Sequence, residues 1–319
     1  MKNTDLDQQY IDQLREITFK PIFIMGVQRS GTSILYELLN KTNSFNIITA
    51  YHIIKNRELI YNHINNLEEE SKKKIAVFFK SESLIDRGID KLKITPDFPE
   101  EYGFVLAQKT GKSQLIYESL KTFNEFCKKI QYVSENNKPL LLKNPFDFSN
   151  FLFIKKIIPD AKYIFIHRSP MKTLNSQINS MRTLLKQKSQ YMSLLSPSYD
   201  KMFNNKILLN YYKFMYNSLS PITTNKAIKN LANRTKYFLE NIESIEKNDY
   251  VSTRYEDICE KPNEEIKKIM SFLKIKIESN IDFRKFIKPR KTVILQELKN
   301  QEKFIFKTME NYLKYCGYI

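Results

Sequence analysis

Three cations in this chain stand where short apolar runs end. Arg29 follows Ile22-Phe23-Ile24-Met25, Lys143 follows Pro139-Leu140-Leu141-Leu142, and Arg168 follows Tyr163-Ile164-Phe165-Ile166. Runs of this length fit buried parallel strands better than helices. The C-terminal ends of such strands open on the crevice where α/β sheets bind ligands. The first run continues into Gly26-Val27-Gln28-Arg29-Ser30-Gly31, then Thr32, Ser33 and apolar residues at helical spacing, Ile34, Leu35, Leu38 and Leu39. Strand, glycine-bounded turn and helix together form a cradle for an anion. Glycine lets the backbone approach closely, and the helix N-terminus supplies N–H groups and a positive dipole end. The chemistry open to this set is to hold phosphate or sulfate and to stabilise charge on a departing oxygen.

The Gly26-x4-Gly31 spacing begins like a nucleotide-triphosphate loop, but that loop requires Lys and then Ser/Thr after its second glycine. Here the pair is Thr32-Ser33, and the cation lies inside the turn. Magnesium-dependent phosphoryl transfer also commonly places an Asp at a neighbouring strand end, where this chain has Lys143. A guanidinium can fork onto anion oxygens without a metal, so the pattern points to a metal-free site. It disfavours an ATP-dependent small-molecule kinase. Lys109-Thr110-Gly111-Lys112-Ser113 imitates a triphosphate loop, but Leu106 occupies its first glycine position and no buried strand precedes it. It reads as a basic surface turn.

The loop Arg29-Ser30-Gly31-Thr32 resembles the phosphosulfate-binding loop of the sulfotransferases that use 3'-phosphoadenosine 5'-phosphosulfate (PAPS). Gln28 stands where Pro is usual in that family and Ser33 where a second Thr is usual; both keep the anion-binding chemistry. A second motif agrees: Arg168, Pro170 two residues on, and Ser176 eight residues on match the family's 3'-phosphate clamp. The resemblance runs from Pro21 to the C-terminus and is sharpest at Arg29–Thr32, Lys143 and Arg168/Ser176. It implies PAPS as co-substrate with no metal, held by Gln28, Arg29, Ser30, Gly31, Thr32, Ser33, Arg168 and Ser176. Arg29 and Lys143 are implied to act on the reacting phosphosulfate. Tyr255, in Arg254-Tyr255-Glu256-Asp257, has two readings, beside the adenine or packed in the core. Lys288, Arg290 and Lys291 read either as a late basic loop closing over the 3'-phosphate or as a plain basic loop.

An acceptor hydroxyl must lose its proton as it attacks, so the site requires a base. His52 follows the second strand candidate, and an unperturbed imidazole titrates near neutrality. Related sulfotransferases place a His or a Glu in this part of the fold, which implies His52 as the catalytic base. Glu100 and Glu101 are the alternative, against a plainer role as helix-capping acids. His63 lies on a charged, solvated stretch, and His167 sits beside the clamp, either in a structural role or supporting the clamp residues from behind.

These residues must be positioned by alternating strands and helices. Strands near 21–25, 45–49, 139–142, 162–166 and 249–254 are expected in an α/β fold, a mostly parallel sheet of about five strands flanked by helices. The reading is a single domain over 1–319. A helical insert over roughly 186–247 forms the wall or lid of the acceptor site. Residues 1–19 read as a short amphipathic helix, and 53–93 as charged, solvated helix. The chain has 319 residues, 42% of them hydrophobic, with 22 Phe and 19 Tyr, ample for a core. Its net charge of +17 favours polyanionic ligands. The basic residues are nonetheless scattered, which argues against a nucleic-acid or anionic-lipid binding protein. The expected partner is a small-molecule, lipid or sugar acceptor. A membrane surface is compatible with the charge without being required. Three distant cysteines, a polar N-terminus and no apolar run of membrane-spanning length lead to a cytoplasmic reading.

Overall fold

The computed structural model describes residues 5–89, 92–217, 221–277, 281–287 and 292–319. The chain enters through a 3₁₀ helix, Leu6–Leu14, rather than an α-helix, and then forms β1 (Pro21–Met25) and α1 (Thr32–Lys41). β2 (Asn46–Ile47) follows, then α2 (Ala50–Ile54), α3 (Leu59–Ile64), α4 (Glu68–Ser81), α5 (Gly103–Thr110) and α6 (Leu120–Val133). Next come β3 (Leu140–Lys143), α7 (Phe151–Ile157), β4 (Lys162–His167) and α8 (Pro170–Lys186). The inserted stretch is α9 (Gln190–Leu195), α10 (Pro197–Asn204), α11 (Lys206–Met215) and α12 (Pro221–Asn241). The chain closes with β5 (Tyr250–Arg254), α13 (Tyr255–Glu260), α14 (Pro262–Phe272), α15 (Gln296–Lys299), α16 (Glu302–Thr308) and α17 (Glu310–Tyr315).

All five strands lie in one parallel sheet of order β2-β3-β1-β4-β5. β1 is central, with Ile24 opposite Lys143 on one side and Met25 opposite Phe165 on the other. The connections from β1 and β3 run to opposite halves of the sheet. The crevice at this switch point therefore opens beside the turn after β1. Both faces of β1, β3 and β4 are covered, which is why these strands read as continuous apolar runs, whereas the edge strand β5 is half-buried and mixed in polarity. Phe23, Leu142 and Phe165 face one core; Ile22, Ile24, Leu141 and Ile164 face the other, under α1 and α14.

β2 is shorter than the apolar run 45–49 predicts. The Ile48 amide donates to the Tyr36 hydroxyl at 2.9 Å instead of to a neighbouring strand, and Thr49 caps α2. Ile48 and Ala50 then exchange backbone hydrogen bonds with the segment 98–100. That exchange brings Glu100 and Glu101 to the edge of the crevice.

The end of β3 is fixed by a buried carboxylate. Asp147 accepts hydrogen bonds from the Tyr102 hydroxyl at 2.6 Å, from Asn144 at 2.7 Å, from Asn150 at 2.8 Å and from the Leu115 amide at 3.0 Å. Burial raises its pKa, against the pull of these donors. The Asp147→Ala protein would strand several buried donors, each costing roughly 1–3 kcal/mol when unpaired. Urea unfolding should show a loss of about 3 kcal/mol or more. A loss under about 1 kcal/mol would mean that Asp147 does not hold the end of β3.

Candidate active site

The turn between β1 and α1 depends on its backbone. Gly31 has φ +106°, and a Cβ there would meet the Tyr255 ring at 2.3 Å. A Cβ on Gly26 would lie 2.5 Å from Ser30 Oγ and 2.9 Å from the Ile166 carbonyl oxygen. Arg29 is also left-handed, at φ 70°, which is uncommon for a residue with a side chain. Ser30 is buried beneath the turn, and its Oγ has no hydrogen-bond partner among the described residues.

The side chains of two sequence motifs meet here. Arg29 Nε donates to Ser176 Oγ at 3.1 Å, and Arg168 donates to the Arg29 carbonyl at 2.8 Å. The Arg168 guanidinium lies 4.5 Å from the centre of the Tyr255 ring, while its buried Nε has no partner among the described residues. Tyr255 thus forms a wall shared by Gly31 and Arg168. Gln177 donates to the Gln28 carbonyl at 2.8 Å and ties α8 to the turn.

Ser33 lies in the first turn of α1. Its Oγ accepts from Lys143 Nζ at 3.0 Å and from Arg87 at 3.1 Å. A hydroxyl has two lone pairs and one hydrogen. A hydroxyl that accepts from two cations can still donate its one hydrogen to a further acceptor, and Ser33 lines the cavity. Lys143 itself is fully buried behind Ser33 and pairs with Glu101 at 3.1 Å.

A cavity of about 1630 Å³ adjoins the turn. Gln28, Arg29, Gly31, Thr32, Ser33, Arg168, Ser176 and Tyr255 line it, as do Arg87 and Glu101. Its far walls come from α8, α10, α11 and α12, so the helical insert forms much of the enclosure. Lys288, Arg290 and Lys291 fall outside the described residues.

The structure separates the three candidate bases. The His52 ring accepts from the Thr49 amide at 3.1 Å and hydrogen-bonds the Ile47 backbone, closing a capping box at the start of α2. His52 is not among the cavity-lining residues, and burial followed by nearby Lys72 pushes its pKa down to about 3. The expectation that His52 takes the acceptor's proton therefore has no geometric support: its Nδ1 serves the helix cap and the ring lies outside the cavity lining. Glu100 is fully buried. It accepts from the Tyr191 hydroxyl at 2.6 Å, and burial raises its pKa against the opposing charges of Arg87 and Lys143. Glu101 alone of the three faces the cavity, with its side chain 15% exposed. His167 packs against Phe238 and approaches the Tyr312 hydroxyl at 3.0 Å, a structural placement.

Arg87 and Gln177 were not singled out from the sequence. Arg87 falls within the stretch 53–93 that reads as solvated, yet it is 5% exposed and stacks 5.3 Å from the Phe98 ring. No local pattern marks it, because its partners Ser33 and Glu100 are distant in sequence.

The class is set by a parallel α/β sheet with an arginine-bearing glycine turn at its switch point. The family model of the sulfotransferase family matches residues 21–279. The chain belongs to the sulfotransferase family, and membership makes it a transferase. Comparison with curated protein sequences gives no match. Among solved structures, sulfotransferase STF9 from Mycobacterium avium is similar in fold, with TM-score 0.69 and 15% identity over 97% of this chain and 80% of that one. Sulfotransferase STF1 from Mycobacterium tuberculosis H37Rv has TM-score 0.57 and 14% identity over 96% of this chain and 80% of that one.

The placement of His52 sets a pH dependence of stability. Its unfolded state binds a proton below about pH 6.5, while the folded state resists protonation down to about pH 3. Stability therefore falls as pH drops through that window. At pH 5 the depressed pKa of His52 accounts for a loss of about 2 kcal/mol relative to pH 7. The loss should be smaller by that amount in His52→Gln, read from urea unfolding at the two pH values. An identical pH profile in the two proteins would show that His52 is not buried in its neutral form.

Proposed function

We propose that the protein transfers a sulfuryl group from PAPS to a hydroxyl of an acceptor held in the 1630 Å³ cavity. The observation that carries this reading is the convergence of Arg29, Arg168 and Ser176 on the glycine turn, beside a Ser33 hydroxyl polarised by two cations. The residues fit a phosphosulfate nucleotide. The turn has glycine where a Cβ would obstruct it, Ser33 has a hydrogen left to donate, and Arg168 has a buried Nε without a partner among the described residues. When bound, PAPS supplies the activated sulfuryl group.

The chain's own residues divide the remaining work. Gln28 to Ser33 and the first N–H groups of α1 bind the 5' end, the helix dipole favouring its charge. Arg168 and Ser176 hold the 3'-phosphate, and Tyr255 braces Arg168 from the side. Arg29 and Ser33 hydrogen-bond oxygen on which negative charge develops. Lys143 and Arg87 strengthen Ser33 as a donor by drawing on its lone pairs. The Glu101 carboxylate accepts the proton of the acceptor hydroxyl, and Lys143, 3.1 Å away, holds that carboxylate in place. The insert α9–α12 walls the acceptor side and keeps water from the transferring group.

Incubation with PAPS and candidate hydroxyl acceptors, read by mass spectrometry, should show an added sulfuryl mass. Glu101→Gln should lower kcat by about 100-fold or more and leave affinity for adenosine 3',5'-bisphosphate near that of the parent. Arg168→Ala should weaken that affinity roughly 10-fold or more by calorimetry. No bisphosphate binding by the parent would refute the donor site. Full turnover in Glu101→Gln would refute the base.

A further inference from the structure

Helix α11, Lys206–Met215, has no buried residue, although it is rich in large apolar side chains. Its residues fall into three adjoining stripes at helical spacing. Leu208, Tyr212 and Met215 line the cavity. Ile207, Tyr211 and Phe214, one stripe round, are 85%, 53% and 65% exposed. Lys206, Asn210 and Lys213 form the next stripe, also exposed. One helix therefore carries the cavity rim, an uncovered apolar ridge and a basic border. Tyr211 belongs to both rim and ridge, since it lines the cavity while half exposed.

Basic residues are scattered over the chain as a whole, but in the stretch that carries this ridge the charge is almost all of one sign. From Lys186 to Asn230 the sequence holds seven lysines and a single acid, Asp200. Asp200 is already paired with Lys188 at 2.6 Å. Lys201, Lys206, Lys213, Lys226 and Lys229 are exposed. A second copy of this chain would bring like charge against like charge. An anionic bilayer complements both features, receiving the apolar ridge at the acyl boundary and the lysines at its headgroups.

We propose that the α11 face docks the protein on an anionic lipid surface, with the cavity rim against the bilayer. Docking does not depend on sulfuryl transfer. Only its corollary rests on the proposed function: the acceptor is a bilayer-borne amphiphile whose hydroxyl enters past Tyr211 and Met215.

The chain has no tryptophan, so Phe214→Trp gives a single reporter that keeps the ridge apolar. With phosphatidylglycerol-containing vesicles at low salt, its emission should move to shorter wavelength and the protein should float with the lipid. Pure phosphatidylcholine vesicles should capture much less. Salt of about 0.5 M should release most of the bound protein, as screening of the lysines requires. Phe214→Glu should weaken vesicle binding about tenfold or more and leave adenosine 3',5'-bisphosphate affinity unchanged. Failure of the parent to bind anionic vesicles overturns the inference. So does equal binding by Phe214→Glu, or a dimer in sedimentation that Phe214→Glu dissociates. Capture of the ridge by an acidic protein with no vesicle binding also overturns it. Vesicle binding by a protein that fails to bind the bisphosphate would refute the proposed function and leave the docking supported.

Discussion

Lys143 is a fully buried cation at the end of a central strand, and the crevice is built around satisfying it. An ammonium removed from water must be paired and hydrogen-bonded, or its desolvation dominates. Here Glu101 supplies the counter-charge and Ser33 the second acceptor. Those two contacts bind three distant pieces of chain: the end of β3, the start of α1 and the segment leading into α5. Arg87 joins the same cluster through Ser33 and stands 3.7 Å from Glu100. Two acids and two bases thus close the floor of the crevice, with Glu101 and Ser33 turned to the cavity.

The strand order has a direct chemical result. With β1 between β3 and β4, the ends that carry Lys143 and Arg168 flank the turn that carries Arg29. No long side-chain reach is needed to gather the cations, because adjacent parallel strands lie only about 5 Å apart. The left-handed backbone at Arg29 and Gly31 completes the arrangement. It folds the turn tightly enough for Arg168 to grip the Arg29 carbonyl and for Tyr255 to pack over Gly31.

The contrast between His52 and Glu101 is one of burial and access to the cavity. A side chain of suitable intrinsic pKa is poorly placed to take a proton from a ligand when it is buried, outside the cavity and bonded to the backbone. His52 is in that position, while Glu100 is enclosed by Tyr191 and held out of the cavity. Glu101 differs from Glu100 by one residue and points the other way. The alternation comes from the extended segment that meets Ile48–Ala50, where successive side chains take opposite faces.

The sequence by itself determined the sheet and the glycine-bounded turn after β1. Three of its apolar runs become β1, β3 and β4 close to their expected bounds, because a strand buried on both faces must be apolar throughout, and the edge strand β5, Tyr250–Arg254, also falls within its expected range. The glycines and Arg29 were legible because a tight turn with left-handed backbone restricts residue type at each position. The pairing of Arg168 with Arg29, of Lys143 with Ser33 and Glu101, and the burial of Arg87 were decided only by the tertiary structure. The same holds for the commitment of His52 to its helix cap and for the exposure of the α11 ridge, which has the apolar content of a core helix. Local sequence sets periodicity and turn geometry, whereas burial and charge pairing depend on which distant segments arrive at the same place.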